Sequence, residues 1–203
     1  FEEVLDEHPV SIQVNGQWQT FPNAKAAEEA SYEEYKANLR RNAKNFRITD
    51  EHLGEGGPKA KFQANVNAIR LLKELEAAGQ QASPEQQEVL SRYVGWGGLS
   101  DAFDPEKPAW ALEYAQLKEL LTPEEYAAAR SSTLNAHYTS PTVIQAIYEA
   151  VGRMGFETGN ILEPSMGVGN FFGMLPEEMR NSRLYGVELD PVSGRIAKQL
   201  YPK

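Results

Sequence analysis

Two carboxylates and a glycine turn are the residues of this sequence best suited to bind a small ligand. Glu163 ends the short apolar run "NILE", and Gly167 and Gly169 follow it closely. Glu188 comes 21 residues after Gly167, near the ~20-residue offset at which an acid meets ribose hydroxyls in nucleotide-binding βαβ units. A carboxylate can accept hydrogen bonds from two hydroxyls, and its charge strengthens both. The spacing therefore predicts a nucleoside-containing ligand at the glycine turn.

Two ligand classes compete for this turn, and Glu163 separates them. A dinucleotide would place its pyrophosphate over the glycines, beside a repelling carboxylate, and its Gly-x-Gly-x-x-Gly spacing is missed because Gly173 comes one residue late. S-adenosylmethionine has no phosphate, and a carboxylate attracts its sulfonium and ammonium groups. We therefore favour S-adenosylmethionine as the cofactor over NAD. In the simplest alternative, Glu163 only caps the turn and the glycines only allow tight packing.

The elements that must position the turn follow from apolar periodicity. Residues 10–21 alternate around Asn15-Gly16, which predicts a β-hairpin. Residues 24–130 are mostly helical, apart from a glycine-rich loop at 52–62 and an irregular segment at 95–105. From residue 140, an amphipathic helix, a strand, the glycine turn, a helix and a second strand form the first βαβ unit of an open α/β sheet.

Capping and packing signals refine the helical region. We expect an apolar stripe on the second long helix, with Gly79 as its C-cap, and N-caps at Ser83 and Thr122, each followed by proline. Trp96 and Phe103 are predicted to be core anchors, with base stacking as the alternative, and the glycines around Trp96 are predicted to form a tight turn. The predicted stripe consists of Phe62, Val66, Ile69, Leu72 and Leu75.

Composition limits the classes of function. The 203 residues contain no cysteine, and the histidines (His8, His52 and His137) have no metal-ligand spacing, so we predict no metal site. No apolar run approaches the ~20 residues that span a bilayer, and no secretion signal is seen, which favours a reducing cytoplasm.

Charge is unevenly distributed along the chain. The net charge is -9, yet residues 36–73 carry nine Lys or Arg residues and three acidic residues, a net of +6. This segment could contact DNA phosphates, or it could be a solvated helical face. The candidate DNA contacts are Arg40, Arg41, Lys44, Lys59 and Lys61.

The motifs resemble those of the adenine-N6 DNA methyltransferases whose donor-binding motifs precede the catalytic one. "ILEPSMGVGNFF" is similar to their Asp/Glu-Pro-x-x-Gly-x-Gly-x-Phe motif, "YGVELDP" to their second motif, and "HYTSPTVI" to the motif that precedes both. Met166 stands where many members have cysteine or a small residue, and we expect it to pack under the donor. From about Phe46 to Pro202 the chain resembles, more closely, the methylase region of large helicase–methylase proteins of bacterial conjugative elements and phages.

The resemblance implies a Rossmann-like sheet, S-adenosylmethionine as methyl donor, DNA as substrate, a helicase region in the same polypeptide and a bacterial cytoplasm. It divides the chain into an N-terminal hairpin segment (1–23), a helical domain (24–130) and the N-terminal part of a donor-binding domain (131–203). The implied donor-binding residues are Tyr138, Thr139, Ser140, Pro141, Glu163, Pro164, Ser165, Gly167, Gly169, Asn170, Phe171, Glu188 and Leu189.

One motif of the family is absent from these residues. Adenine-N6 methylation requires an Asn/Asp-Pro-Pro-Tyr/Phe loop that holds the exocyclic amine of a flipped base, and no such tetrapeptide occurs here. Family order places that loop beyond Lys203. We therefore expect a fragment of a longer protein, with the donor half of the site and no catalytic residue. The alternative is a non-catalytic methylase-like module that helps a helicase to engage DNA.

Overall fold

The computed structural model describes residues 8–203, apart from the side chains of residues 39–41, and shows a mixed α/β fold dominated by helices. Residues 1–7 of the predicted N-terminal segment lie outside the described residues. Short 3₁₀ turns occupy Ser100–Phe103, Pro108–Trp110 and Glu177–Met179. The elements are β1 (Val10–Val14), β2 (Gln17–Phe21), α1 (Ala24–Asn42), α2 (Pro58–Ala78), α3 (Pro84–Ser91), α4 (Ala111–Leu120), α5 (Pro123–Ser132), α6 (Pro141–Arg153), β3 (Asn160–Glu163), α7 (Asn170–Gly173), β4 (Arg183–Gly186) and α8 (Pro191–Leu200).

The predicted hairpin is confirmed. β1 and β2 pair antiparallel, with Val10 opposite Phe21 and Val14 opposite Gln17. Asn15 and Gly16 both adopt positive φ, 52° and 74°, as a two-residue hairpin turn requires. The hairpin packs on α1.

The long helix α2 begins at Pro58, before the first residue of its apolar stripe, Phe62. The predicted glycine-rich loop ends at Gly57, and Pro58 opens the helix at a position where its fixed φ suits the first turn and its missing N–H costs nothing. Gly79 ends α2 in the left-handed conformation (φ 62°), as predicted. All five residues of the predicted stripe are buried.

Both predicted N-caps form complete capping boxes. Ser83 caps α3 together with Gln86, and Thr122 caps α5 together with Glu125. In each box the hydroxyl accepts a backbone N–H, and the glutamine or glutamate side chain returns to the N–H of the cap residue. These local signals fix where both helices start.

One apolar core joins the helical region to the C-terminal part of the chain. It runs from Phe46 through α2 and α3 to Val168 and the buried face of α8. Trp96 and Phe103 are core residues, as predicted, and their rings meet edge-on at 5.3 Å. Helix α8 is therefore held by the helices that precede the glycine turn.

A buried ionic network reinforces this junction behind the core. Glu125 of α5 is 5% exposed, and its carboxylate accepts hydrogen bonds from Lys73 of α2 (2.8 Å) and Arg195 of α8 (2.7 Å). Arg195 also donates to Glu76 (2.9 Å). Burial opposes ionisation of Glu125, but the hydrogen bonds from Lys73, the Thr122 N–H and Arg195 outweigh it and lower its pKa.

The second sheet carries the glycine turn at its end. β3 and β4 pair in parallel, with Asn160 opposite Arg183 and Glu163 opposite Gly186, so both strands finish at the same edge. The connection between them includes the four-residue α7 in place of a long crossover helix. The sheet has two strands within residues 8–203, and the same residues include no helix with the length and apolar content of a membrane span.

We predict that Glu125→Gln lowers the free energy of unfolding by about 2 kcal/mol at pH 7. The loss is smaller than the ~3–5 kcal/mol of a fully buried pair, because Lys73 and Arg195 remain 32% and 31% exposed. Since folding lowers the pKa of Glu125, its contribution is complete above the unfolded-state pKa and disappears as pH falls through the folded-state pKa. Urea titrations from pH 7 down to about pH 2 measure this convergence of variant and wild type.

Glu149→Gln is the matched control. Glu149 pairs with Arg153 at 3.9 Å on the surface, so its loss should change the free energy of unfolding by at most about 0.5 kcal/mol. Equal losses in the two variants, or a Glu125→Gln loss that does not change with pH, would contradict the assigned network.

Candidate functional site

A cavity of about 580 Å³ lies where β3 and β4 end, between the glycine turn and residues 128–139. Its size is typical of small-molecule sites, and ligands of open α/β sheets bind at the carboxyl ends of parallel strands. Nine of the residues singled out in the sequence line it together. They are Tyr138, Thr139, Glu163, Ser165, Gly167, Asn170, Phe171, Glu188 and Leu189.

Four other predicted residues, all within the described part of the chain, shape the backbone and do not line the cavity. Ser140 precedes α6 and Pro141 occupies its buried first position. Pro164 follows β3 on the surface. Gly169 precedes α7 with φ 86°, where any Cβ would collide with the ring of Tyr201. Of Thr139 and Ser140 in the "HYTSPTVI" motif, only Thr139 lines the cavity.

Glu188 fastens the glycine turn to the end of β4. Its Oε2 accepts the Gly167 N–H (2.7 Å), and its Oε1 accepts the Asp190 N–H (2.8 Å). Backbone bonds continue the same connection, since the Val187 N–H donates to the Glu163 carbonyl (2.9 Å) and the Met166 N–H to the Val187 carbonyl (3.0 Å). Each carboxylate oxygen keeps a further lone pair for a ligand hydroxyl. Gly167 and Glu188, which lie 21 residues apart in the sequence, are thus in direct contact.

The charges around the cavity are one-sided. Glu163, Glu188 and Asp190 line it, and neither Lys nor Arg occurs among its described lining residues. The facing wall contributes the Asn135 amide and the imidazole of His137. Such a lining attracts cations and repels phosphate groups.

Two tyrosines support the floor and the rim of the cavity. The Tyr148 hydroxyl donates to the Phe171 carbonyl (2.7 Å); burial raises its pKa to about 12, and the negative charge of Glu163 adds to this effect. The Tyr138 hydroxyl lies 3.1 Å from the Ser193 Oγ, and the Ser193 N–H donates to Asp190 (2.8 Å). Burial also raises the pKa of Tyr138, so both phenols stay neutral at physiological pH.

The helical wall of the cavity is not predicted by the motifs. Apart from His137, the first residue of "HYTSPTVI", its residues precede the recognised motifs. Met166 lines the cavity as well, and it packs so closely on Gly186 that no Cβ could fit there. The only sequence signal for this wall was the glycine-rich turn around Trp96. The wall is formed by Tyr93, Gly95, Ala128, Ser131, Ser132, Asn135, Ala136 and His137.

The basic residues proposed to contact DNA differ in availability. Lys59 is engaged: its ammonium pairs with Glu113 (2.7 Å), donates to the Ala109 carbonyl (2.6 Å) and lies 4.0 Å from the ring centre of Trp110. Lys44 is exposed, and Lys61 lines a smaller cavity of about 250 Å³ that shares Tyr138 with the main one. The side chains of Arg40 and Arg41 on α1 are outside the described set. DNA contact remains a prediction for all five residues.

Comparisons with known proteins indicate a methyltransferase-like relationship over part of the chain. "Defense against restriction protein B" of Escherichia phage P1 is 25% identical over 150 residues, which cover 74% of this chain and 5% of that protein. "Type II methyltransferase M.CvrRI" of Paramecium bursaria Chlorella virus XZ-6E is 38% identical over 61 residues, 30% of this chain and 16% of the relative. The chain thus spans a small share of either relative. No family model and no solved structure matches.

We predict that Glu188→Ala destabilises the fold by about 1–2 kcal/mol, because it leaves the N–H groups of Gly167 and Asp190 without their acceptor. Amide hydrogen exchange at Gly167 should accelerate more than exchange in α2. Glu178→Ala is the control, since Glu178 is exposed and should change stability by less than about 0.5 kcal/mol. Unchanged exchange at Gly167 would show that Glu188 does not hold the turn.

Proposed function

We propose that the cavity binds S-adenosylmethionine and that the chain is the donor-binding part of a DNA adenine-N6 methyltransferase. The observation that carries the proposal is the acidic cavity at the ends of β3 and β4, where Glu188 holds the Gly167 turn. This arrangement meets the needs of a nucleoside with a cationic tail.

Charge separates this ligand from a dinucleotide. A pyrophosphate at the Gly167 turn would lie close to Glu163 and Glu188 with no Lys or Arg among the described lining residues to balance it. A sulfonium and an ammonium group gain from the same carboxylates. The lining therefore supports the methyl donor and disfavours NAD.

The residues around the cavity fit the donor part by part. Glu188 has free lone pairs for the ribose hydroxyls, and Leu189, which is 97% exposed, offers an apolar surface for the adenine. Tyr138, Thr139 and Glu163 would hold the methionine end. When bound, S-adenosylmethionine supplies an electrophilic methyl group on its sulfonium.

The choice of DNA adenine as acceptor rests on the motif resemblance, and the relatives support the coarser inference of a methyltransferase. One relative is named as a type II methyltransferase and the other as a protein of defence against restriction. Because the chain spans a small share of both, the activity of a whole protein is itself part of the proposal. The same holds for the Rossmann-like sheet, the division at residues 23 and 130, a helicase region and the cytoplasmic location.

The chain's own contribution is binding and orientation. No Asn/Asp-Pro-Pro-Tyr/Phe tetrapeptide occurs in the 203 residues, so the group that holds the exocyclic amine of the base is not among them. Glu163 would draw the positive end of the donor to the strand edge, and Glu188 would fix the nucleoside. Together they would set the direction in which the methyl group points.

We predict that the chain binds S-adenosylmethionine and S-adenosylhomocysteine in calorimetric titrations and does not bind NADH. Glu163→Gln should weaken both ligands, and S-adenosylmethionine about fivefold more than S-adenosylhomocysteine. The two ligands share the ammonium group and differ by one methyl group and the sulfonium charge, so the difference isolates attraction between the sulfonium and the Glu163 carboxylate, worth ~1 kcal/mol at a partly exposed site.

Glu178→Gln is the charge-matched control, because Glu178 is exposed outside the cavity, and it should leave both affinities unchanged. Binding of NADH in preference to both ligands would overturn the proposal. Equal weakening of the two ligands in Glu163→Gln would exclude Glu163 as the group that recognises the sulfonium.

A further inference from the structure

The turn around Trp96 is anchored rigidly in the helical core. Asn65 of α2 is fully buried; its amide donates to the Gly95 carbonyl (2.6 Å), and its carbonyl accepts the Val94 N–H (2.8 Å). Trp96 is 2% exposed and meets the rings of Phe62 and Tyr93 edge-on, with centroids 6.0 and 6.3 Å apart. The satisfied buried amide and the packed indole leave this turn little freedom to shift.

The same turn holds the helical wall of the cavity in place. The Gly97 N–H donates to the Ala136 carbonyl (3.1 Å). A Cβ at Gly97 would collide with that carbonyl oxygen and lie 2.8 Å from the His137 Nδ1. The backbone of residues 136–137 can approach the turn this closely only because residue 97 has no side chain.

The ring of Tyr138 connects this turn to the glycine turn of the cavity. A Cβ on Gly95 would lie 2.5 Å from Tyr138 Cε2, and a Cβ on Gly167 would lie 2.7 Å from Cε1, on the other edge of the ring. Both glycines have positive φ, 68° and 56°. One aromatic ring is therefore fitted between two left-handed glycines, one from the helical region and one from the ligand site.

We infer that Gly95 and Gly97 are positioning residues for the ligand site. Gly95 determines the position of the Gly167 turn through the Tyr138 ring. Gly97 determines how closely residues 136–137 of the helical wall approach the Trp96 turn. The inference rests on the proposed function, because it assigns control of donor affinity to a turn in the helical region. Gly97 does not line the cavity, and Gly95 lines it beside Tyr138 as part of the helical wall.

Packing alone makes a different prediction. If the turn served only the core, substitution there would cost stability in proportion to backbone strain and leave the affinity of the folded protein unchanged. Gly98 separates the two cases: its φ is 75°, close to that of Gly95, but a Cβ there would meet nothing within 4 Å. Alanine at either position carries a similar left-handed strain, and only Gly95→Ala pushes on Tyr138.

The test compares affinities for S-adenosylhomocysteine in the folded chain. We expect Gly95→Ala to weaken binding at least tenfold and Gly98→Ala to weaken it less than twofold. Gly95→Ala should also lower Tm more than Gly98→Ala, because only its Cβ collides with the Tyr138 ring. In a Tyr138→Leu background, which removes the ring that Gly95→Ala strikes, the same substitution should change the affinity less than twofold. Such non-additivity identifies Tyr138 as the intermediary.

Hydrogen exchange in the wild type gives a second readout, which does not depend on whether the variants fold. Adding S-adenosylhomocysteine should slow exchange of the Gly97 N–H, which bonds to Ala136, and leave the Gly79 N–H at the end of α2 unchanged. Equal affinities of Gly95→Ala and Gly98→Ala for S-adenosylhomocysteine would overturn this inference but not the proposed function. An exchange rate of the Gly97 N–H that does not change on ligand addition would have the same consequence. A wild type that does not bind S-adenosylhomocysteine would overturn the proposed function and, with it, this inference.

Discussion

The arrangement of the site depends on the fit of the Tyr138 ring between Gly95 and Gly167. Either glycine replaced by a larger residue would strike the ring, so the helical region and the glycine turn approach each other closely on its two edges. The Tyr138 hydroxyl adds a polar contact to Ser193 at the start of α8. Three parts of the chain distant in sequence therefore converge on one side chain that lines the cavity.

This convergence is stable because the helical region and α8 share a core and an ionic network. Glu125 bonds to helices on both sides, and loss of its carboxylate would leave Lys73 and Arg195 without their shared acceptor, which costs more than the net contribution of the intact pairs. A two-stranded parallel sheet has little stability of its own, so β3 and β4 rely on these neighbours. In this account, the helical region serves as the rigid support of the ligand site.

Local features of the structure were readable from the sequence, and long-range contacts were not. Capping boxes, the stripe on α2 and the Asn15-Gly16 hairpin depend on neighbours a few residues apart, and all were predicted. The start of α2 was misplaced because the preceding glycines suggested a longer loop, although Pro58 marks the true start. The helical wall and the partner of Lys59, Glu113, are set by tertiary packing, which leaves no periodic trace in the sequence. The positions of Glu163 and Glu188 at the ends of their predicted strands were enough to place both at one sheet edge, where they line the cavity. Their role in ligand binding stays a prediction.

A crystal structure of the chain with bound S-adenosylhomocysteine tests the central claim most directly. The account predicts ligand density in the cavity at the ends of β3 and β4, with the ribose hydroxyls on Glu188, the amino-acid end toward Glu163 and Thr139, and the Tyr138 ring still between Gly95 and Gly167. Density for the ligand in another cavity, or a bound state in which Tyr138 has left the two glycines, would contradict it.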